Sequence, residues 1–203
     1  MSLQVAKRKP AAIEELLFFR RWLAHPLKVG AVLPSSQRLG RLVARQVRLG
    51  ADDIVVELGA GTGTVTRALL ASGIPAERLF VVEIDPRLCT FLRRDIPSAQ
   101  IVQGDARHLG ELLPGRFVGK CSTVISGIPM LTVPFDLQRR MIDAWFGVLG
   151  PNGRLLQYTY SLVSPIPEAK HNLVGRRCGV ALRNVPPAWV WSYARVGSGP
   201  RAT

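Results

Sequence analysis

The stretch DIVVELGAGTG, residues 53–63, constrains the fold more than any other part of the chain. A short apolar run ends in Glu57 and is followed by Gly59, Gly61 and Gly63, after which TVTRALLAS carries apolar residues at helical spacing. Strand, glycine turn and helix in that order form the opening of a parallel β-α unit. The alternation repeats in LFVVEI with PRLCTFLRRD, in AQIVQ with a loop, in CSTVIS with PFDLQRRMIDAWFGVL, and in GRLLQYTY. Near the C-terminus, GVALRNVPPAWVWSYAR reads as two strands across a Pro-Pro turn, a hairpin at the sheet edge. The expected fold is α/β, a seven-stranded and mostly parallel sheet with helices on both faces.

The glycine spacing also excludes chemistry. A dinucleotide fingerprint needs G-x-G-x-x-G, and position 64 is Thr; the Lys and Ser/Thr of a triphosphate-cradling loop are missing too. The 203 residues suffice for one domain with a sizeable core. Residues 1–50 are read as an N-terminal helical extension: AAIEELLFFRRWLA is helical in spacing, HPLKVGAVLPSS is a broken loop, and SQRLGRLVARQV is a second helix with Ser35 or Ser36 available as its cap. Residues 51–203 form the core.

Lys and Arg number 27 against 14 Asp and Glu, a formal charge of +13 that calls for a negative partner, either nucleic acid or an anionic membrane. Cys89, Cys121 and Cys178 lie far apart, so neither a disulfide framework nor a metal site is expected, and a reducing cytoplasm fits. No apolar run reaches the roughly 18 residues of a spanning helix, and no signal-peptide pattern opens the chain. His25, His108 and His171 are scattered and read as structural or solvated. Trp189 and Trp191 alternate with Val190 and should pack on one sheet face.

The segment ELGAGTG resembles the first motif of the class I S-adenosylmethionine-dependent methyltransferases, an acidic residue followed by G-x-G-x-G. Two further acids at strand ends fit that pattern, Glu83 in VVEID and Asp105 in GDA. The resemblance implies a Rossmann-like methyltransferase fold with S-adenosylmethionine as cofactor. It implies that Glu83 accepts the ribose hydroxyls and Asp105 the adenine amino group, that Ile84 packs on the adenine face, that Ala106 offers a backbone donor, and that Glu57 organises the loop near the methionine part.

VVEID and GDA are also the wording of the adenine dimethylases of ribosomal RNA, which place Asn-x-Pro-Tyr or Phe after the fourth strand to grip a flat base. Here that place reads Ser126, Gly127, Ile128, Pro129, Met130, with neither amide nor aromatic, although Ser126 and Gly127 backbone could still contact cofactor or substrate. An alkyl amine needs no such grip. Tyr158 and Tyr160, alternating with Gln157 and Thr159, could supply a phenol and an aromatic face to it. The segments FFRRWLAHPLKVGAVLPSS, SGIPML and NVPPAWVWSYAR closely resemble the bacterial phospholipid N-methyltransferases, which convert phosphatidylethanolamine stepwise to phosphatidylcholine. By that resemblance Gly30, Ser35 and Ser36 border the cofactor and substrate cleft. Arg176 with Arg177 could clamp a lipid phosphate or form a solvated basic face.

A lipid head group must be taken from a bilayer. On a helix over residues 12–24, Ala12, Leu16, Phe19 and Leu23 share one face with Phe18 and Trp22 beside it, and Lys7, Arg8, Lys9, Arg20 and Arg21 supply positive charge. The same spacing suits a helix that packs on the core; the basic flank and the resemblance favour the membrane. The expected partners are an anionic membrane surface and its phospholipid. The protein is expected as a monomer, cytoplasmic and peripheral on the cytoplasmic face of the membrane, with neither metal nor protein partner. An RNA adenine-N6 methyltransferase and a non-catalytic lipid-binding module are the alternatives.

Overall fold

Strands with no polar residue to spare must be covered on both faces, and β1 (Ile54–Leu58) and β2 (Leu79–Glu83) are buried along their whole length. The computed structural model describes residues 34–182 and 186–197. The expectations for Lys7, Arg8, Lys9, Phe18, Phe19, Arg20, Arg21, Trp22, His25 and Gly30 lie outside the described residues. With β3 (Gln100–Gln103), β4 (Cys121–Ser126), β5 (Leu149–Thr159), β6 (Leu173–Ala181) and β7 (Ala188–Arg195), the strands form one sheet in the order β3-β2-β1-β4-β5-β7-β6. The first five run parallel; β7 is antiparallel to both β5 and β6. The expected seven-stranded, mostly parallel sheet is therefore present, and the hairpin pairs from Leu173 with Arg195 to Ala181 with Ala188. Its second strand is inserted inside the first, so β6 is the outer one.

The helices are α1 (Pro34–Ala44), α2 (Thr64–Ala71), α3 (Pro86–Asp95), α4 (Leu109–Leu112), α5 (Phe135–Val148) and α6 (Glu168–His171). α3 starts where the sequence says it must: Asp85 accepts the backbone N–H of Arg87 at 2.7 Å and of Leu88 at 3.3 Å, and Pro86 sits where no N–H is needed. On one sheet face Leu39 and Val43 of α1, Val65 and Leu69 of α2 and Leu92 of α3 join Val55, Val81, Ile125, Leu156 and Val190 in a single apolar cluster. Leu137, Met141, Ile142 and Trp145, one stripe of α5, are buried on the other. Cys89 and Cys121 are free thiols inside this core, pushed up by burial to about 11 and about 12.

The second pre-sheet helix is present as α1, yet it begins at Pro34, so Ser35 and Ser36 lie within its first turn instead of capping it. A boundary at residue 50 separates α1 from the sheet in sequence, whereas in space α1 shares the sheet's own core. A Cβ on Gly40 would lie 2.8 Å from Ala68 Cβ and 3.1 Å from the Thr64 carbonyl oxygen, and farther along Ala44 and Arg45 face Ala68 and Ala71. The two helices thus run side by side in the same direction.

Candidate active site

Ligands of open parallel sheets bind outside the carboxyl ends of the strands, and the glycine loop after β1 is built for one. Gly59, Gly61 and Gly63 have φ of 70°, 58° and 79°, a region that side chains rarely enter. A Cβ on Gly61 would meet nothing within 4 Å, so a ligand can approach the backbone there. A Cβ on Gly63 would come within 2.8 Å of Leu92 and 2.7 Å of Ile96, so this glycine lets α2 close on α3.

Two buried carboxylates stand behind the loop, one bonded to it and one to the helix that follows it. Glu83, 2% exposed, accepts the N–H of Gly61 at 3.0 Å on one oxygen and those of Ile84 at 2.8 Å and Asp85 at 3.1 Å on the other. Three of its roughly four acceptor positions are so occupied. Expected as a ribose ligand, Glu83 also ties the glycine loop to the end of β2. Glu57 accepts the Thr66 hydroxyl at 2.7 Å on Oε2, while its Oε1 is buried with no partner. Burial raises its pKa to about 7, with the Thr66 hydrogen bond opposing and nearby Glu83 adding to the rise. Burial likewise raises Glu83, against the three backbone donors.

Ile84, expected to pack on adenine, is half-buried next to Glu83. Asp105 accepts the Arg107 N–H at 2.9 Å and its Nε at 2.7 Å, so the carboxylate stands fixed and locally neutralised. Ala106 is buried, and its carbonyl accepts the Trp145 indole N–H at 2.9 Å, which anchors this turn to α5.

The residues expected to meet the substrate follow β4 and lie on β5. Ser126 pairs with Gln157 in register, which puts Gly127 beside Tyr158. A Cβ on Gly127 would collide with the Tyr158 hydroxyl, would stand 2.6 Å from its Cζ, and would be 3.3 Å from the Gly59 carbonyl oxygen. The phenol therefore lies across Gly127, next to the glycine loop, and no group among the described residues hydrogen-bonds its hydroxyl. Burial raises the Tyr158 pKa, with Glu57, Tyr160 and Glu83 adding to it, so the phenol stays protonated at neutral pH. Tyr160 is 51% exposed at the same edge. Ser126 is turned inward, its hydroxyl accepting the Ile128 N–H at 3.2 Å.

Two buried glutamines were not singled out from the sequence. Gln157 donates to the Ile128 carbonyl at 2.8 Å, and Gln138 donates to the Met130 carbonyl at 2.9 Å while His171 Nε2 lies 2.6 Å from its Oε1. Together they fix the SGIPM loop, whose Ile128 and Met130 side chains are buried. His171, expected to be structural, is so; burial lowers its pKa, so the neutral ring donates to Gln138. His108 is exposed, its Nδ1 3.6 Å from Glu111. Arg177 is exposed on β6, paired in register with Trp191, and stands apart from the glycine loop. Trp189, Trp191 and Tyr193 share one face, the last two with stacked rings 6.4 Å apart.

The residues present fit S-adenosylmethionine: open ground over Gly61, an orphaned carboxylate oxygen on Glu57, and a half-buried Ile84. This sheet order with these acids at the carboxyl edge defines a class I S-adenosylmethionine-dependent methyltransferase. The TehB-like S-adenosylmethionine-dependent methyltransferase of Corynebacterium glutamicum superposes with a TM-score of 0.57 over 92% of this chain and all of that one, at 15% identity. The glycopeptide N-methyltransferase MtfA, solved with S-adenosylmethionine, matches 70% of this chain and 60% of its own at 17% identity and a TM-score of 0.50.

In sequence the chain is 33% identical over 146 residues to the ornithine lipid N-methyltransferase of Singulisphaera acidiphila, covering 70% of this chain and 76% of that protein. The chain belongs to the family of that lipid N-methyltransferase. A 96-residue stretch is 38% identical to the ribosomal RNA small subunit methyltransferase A of a Synechococcus strain, 45% of this chain and 31% of that enzyme. No family model matches.

Proposed function

We propose that the chain methylates the primary alkyl amine of a membrane aminolipid, phosphatidylethanolamine being converted stepwise towards phosphatidylcholine. The observation that carries this reading is the pair Gly127 and Tyr158: where a base-modifying enzyme needs an amide and an aromatic clamp, this loop has a bare backbone crossed by a protonated phenol. With Ile128 and Met130 committed to the core, nothing in the loop can stack on a planar base.

When bound, the cofactor supplies an activated methyl on a sulfonium, the new N–C bond forming as the C–S pair returns to sulfur. Positive charge moves between the two and none is created, so alignment and dryness carry most of the acceleration. The chain's residues supply both. Glu83 holds the glycine loop, Asp105 and Ala106 would hold the adenine, and Glu57 would offer its unpartnered oxygen to the methionine part. Tyr158 orients the incoming amine through its hydroxyl. A primary ammonium has a reference pKa of about 10.4 and no lone pair, so it must reach the pocket neutral; desolvation favours that form.

A second reading, favoured by the 33% identity to an ornithine lipid N-methyltransferase, keeps the reaction and changes the lipid, since ornithine also ends in a primary alkyl amine. Methyl-labelled cofactor with vesicles containing phosphatidylethanolamine, ornithine lipid or neither decides between them. Label in mono-, di- or trimethylated phosphatidylethanolamine is expected. Label in ornithine lipid alone moves the substrate to the second reading, and label in RNA adenine alone overturns both.

A further inference from the structure

Ten large apolar side chains stand exposed among the described residues, and they are not spread evenly. Leu131 and Phe135 follow β4; Tyr160, Leu162 and Val163 follow β5; Val180 and Leu182 close β6, which runs in the same direction. Seven of the ten thus belong to segments leaving the carboxyl ends of strands, the edge that carries the glycine loop. Leu162 and Leu182 are each 71% exposed and Val163 62%, values that no folding requirement explains. Scattered apolar residues need no account, whereas a concentration at a functional edge marks a contact surface.

The segment is also held in place. Ser161 N–H bonds the Thr159 hydroxyl at 3.1 Å, Val163 N–H bonds the Ser161 hydroxyl at 3.2 Å, and Ser164 reaches the Tyr193 hydroxyl at 2.8 Å. Its apolar tips are presented by a fixed turn. Lys170 lies 5.8 Å from the Phe135 ring, a cation next to an exposed aromatic, in a chain of net charge +13. Aromatic and aliphatic tips with adjacent cations match the boundary between anionic head groups and acyl chains.

We infer that this apolar rim, led by Leu131, Leu162 and Val163, seats the carboxyl edge of the sheet in a lipid bilayer, so that Tyr158 meets the head group while the acyl chains stay in the membrane. The inference rests on the aminolipid reading and adds a contact within the catalytic domain, separate from residues 1–33. Two measurements test it on the full chain with vesicles of phosphatidylethanolamine and anionic phosphatidylglycerol. First, Leu162→Trp should gain fluorescence quenched by brominated acyl chains beyond the wild-type signal, whereas Val118→Trp, before β4 at the opposite edge, should not. Second, Leu131→Ser, Leu162→Ser and Val163→Ser combined should lower methyl transfer to vesicles about tenfold or more and leave the rate on a dispersed short-chain analogue unchanged. Leu162 and Val163 stand mostly in water and Leu131 is 48% exposed, so the thermal melt of the combined variant should lie close to that of the wild type.

No added quenching at 162 and equal rates on both lipids would overturn the rim while the aminolipid reading stood. No methylated lipid from the wild type with either substrate would defeat the aminolipid reading, and the quenching comparison would still decide whether the edge enters the bilayer.

Discussion

Gly127, the first residue after β4, lies beside Tyr158 of β5, and the phenol occupies the space that any side chain at 127 would take. The bare backbone at 127 and the position of the Tyr158 phenol are thereby one fact. Gly127→Ala should push the ring off the glycine loop, because the colliding atoms are the far end of a movable side chain. The expected result is a roughly tenfold or greater fall in kcat with a stability change of at most about 1–2 kcal/mol. Steady-state rates beside thermal melts check it; unchanged kcat would remove Tyr158 from the site.

The hydroxyl of Tyr158 has no partner among the described residues, so Tyr158→Phe should leave the melting temperature near that of the wild type. If the hydroxyl orients the amine, kcat should drop about tenfold while cofactor Kd, read by calorimetry, stays put. A Phe variant as fast as the wild type would leave only the ring's face as its contribution.

Burial raises the Glu57 carboxyl to about 7 in the folded protein against 4.5 unperturbed. The folded state then binds more protons than the unfolded one between those values, so stability without cofactor should decline as pH rises from about 4.5 to about 7, by on the order of 3 kcal/mol. Glu57→Gln cannot titrate. Its melting temperature should exceed that of the wild type at pH 8 and converge with it near pH 5, and a melt series across this range reads the difference.

Glu83 gathers three backbone N–H groups around one carboxylate. Glu83→Ala should leave those donors without their acceptor and free the glycine loop, lowering stability by about 2–4 kcal/mol and weakening cofactor binding more than tenfold. Glu83→Gln retains one acceptor oxygen and should fall between the two; a Kd equal to the wild type in both would deny the carboxylate its role.

Much of this site was legible because its acids and glycines end consecutive strands, and a parallel sheet brings consecutive strand ends to one edge. VVELGAGTG could place Glu57 and Gly61 on sight, since β1 is buried throughout and the turn after it must use left-handed backbone. Gln157 and Gln138 were not legible. A polar residue in LLQYTY reads as facing water, and only the insertion of β7 beside β5 and the cover of α5 place that amide inside, where it supports the loop after β4. The pairing of Asp105 with Arg107 was equally hidden, because it depends on the turn of Ala106–His108 bringing i and i+2 together.

Among the described residues, the insertion of β7 leaves β6 with a hydrogen-bonding edge that no other strand covers. An open edge is a template for another chain, and β6 carries Arg176 and Arg177 in tandem, both exposed, with the pairing shifted between Arg177 and Gly179. Adjacent charges on opposite faces of one strand, together with an irregular register, are how sheets repel a second edge. The two arginines therefore have a solubility role that is independent of any phosphate: neutralising them should produce aggregates that scatter light on concentration before it alters turnover.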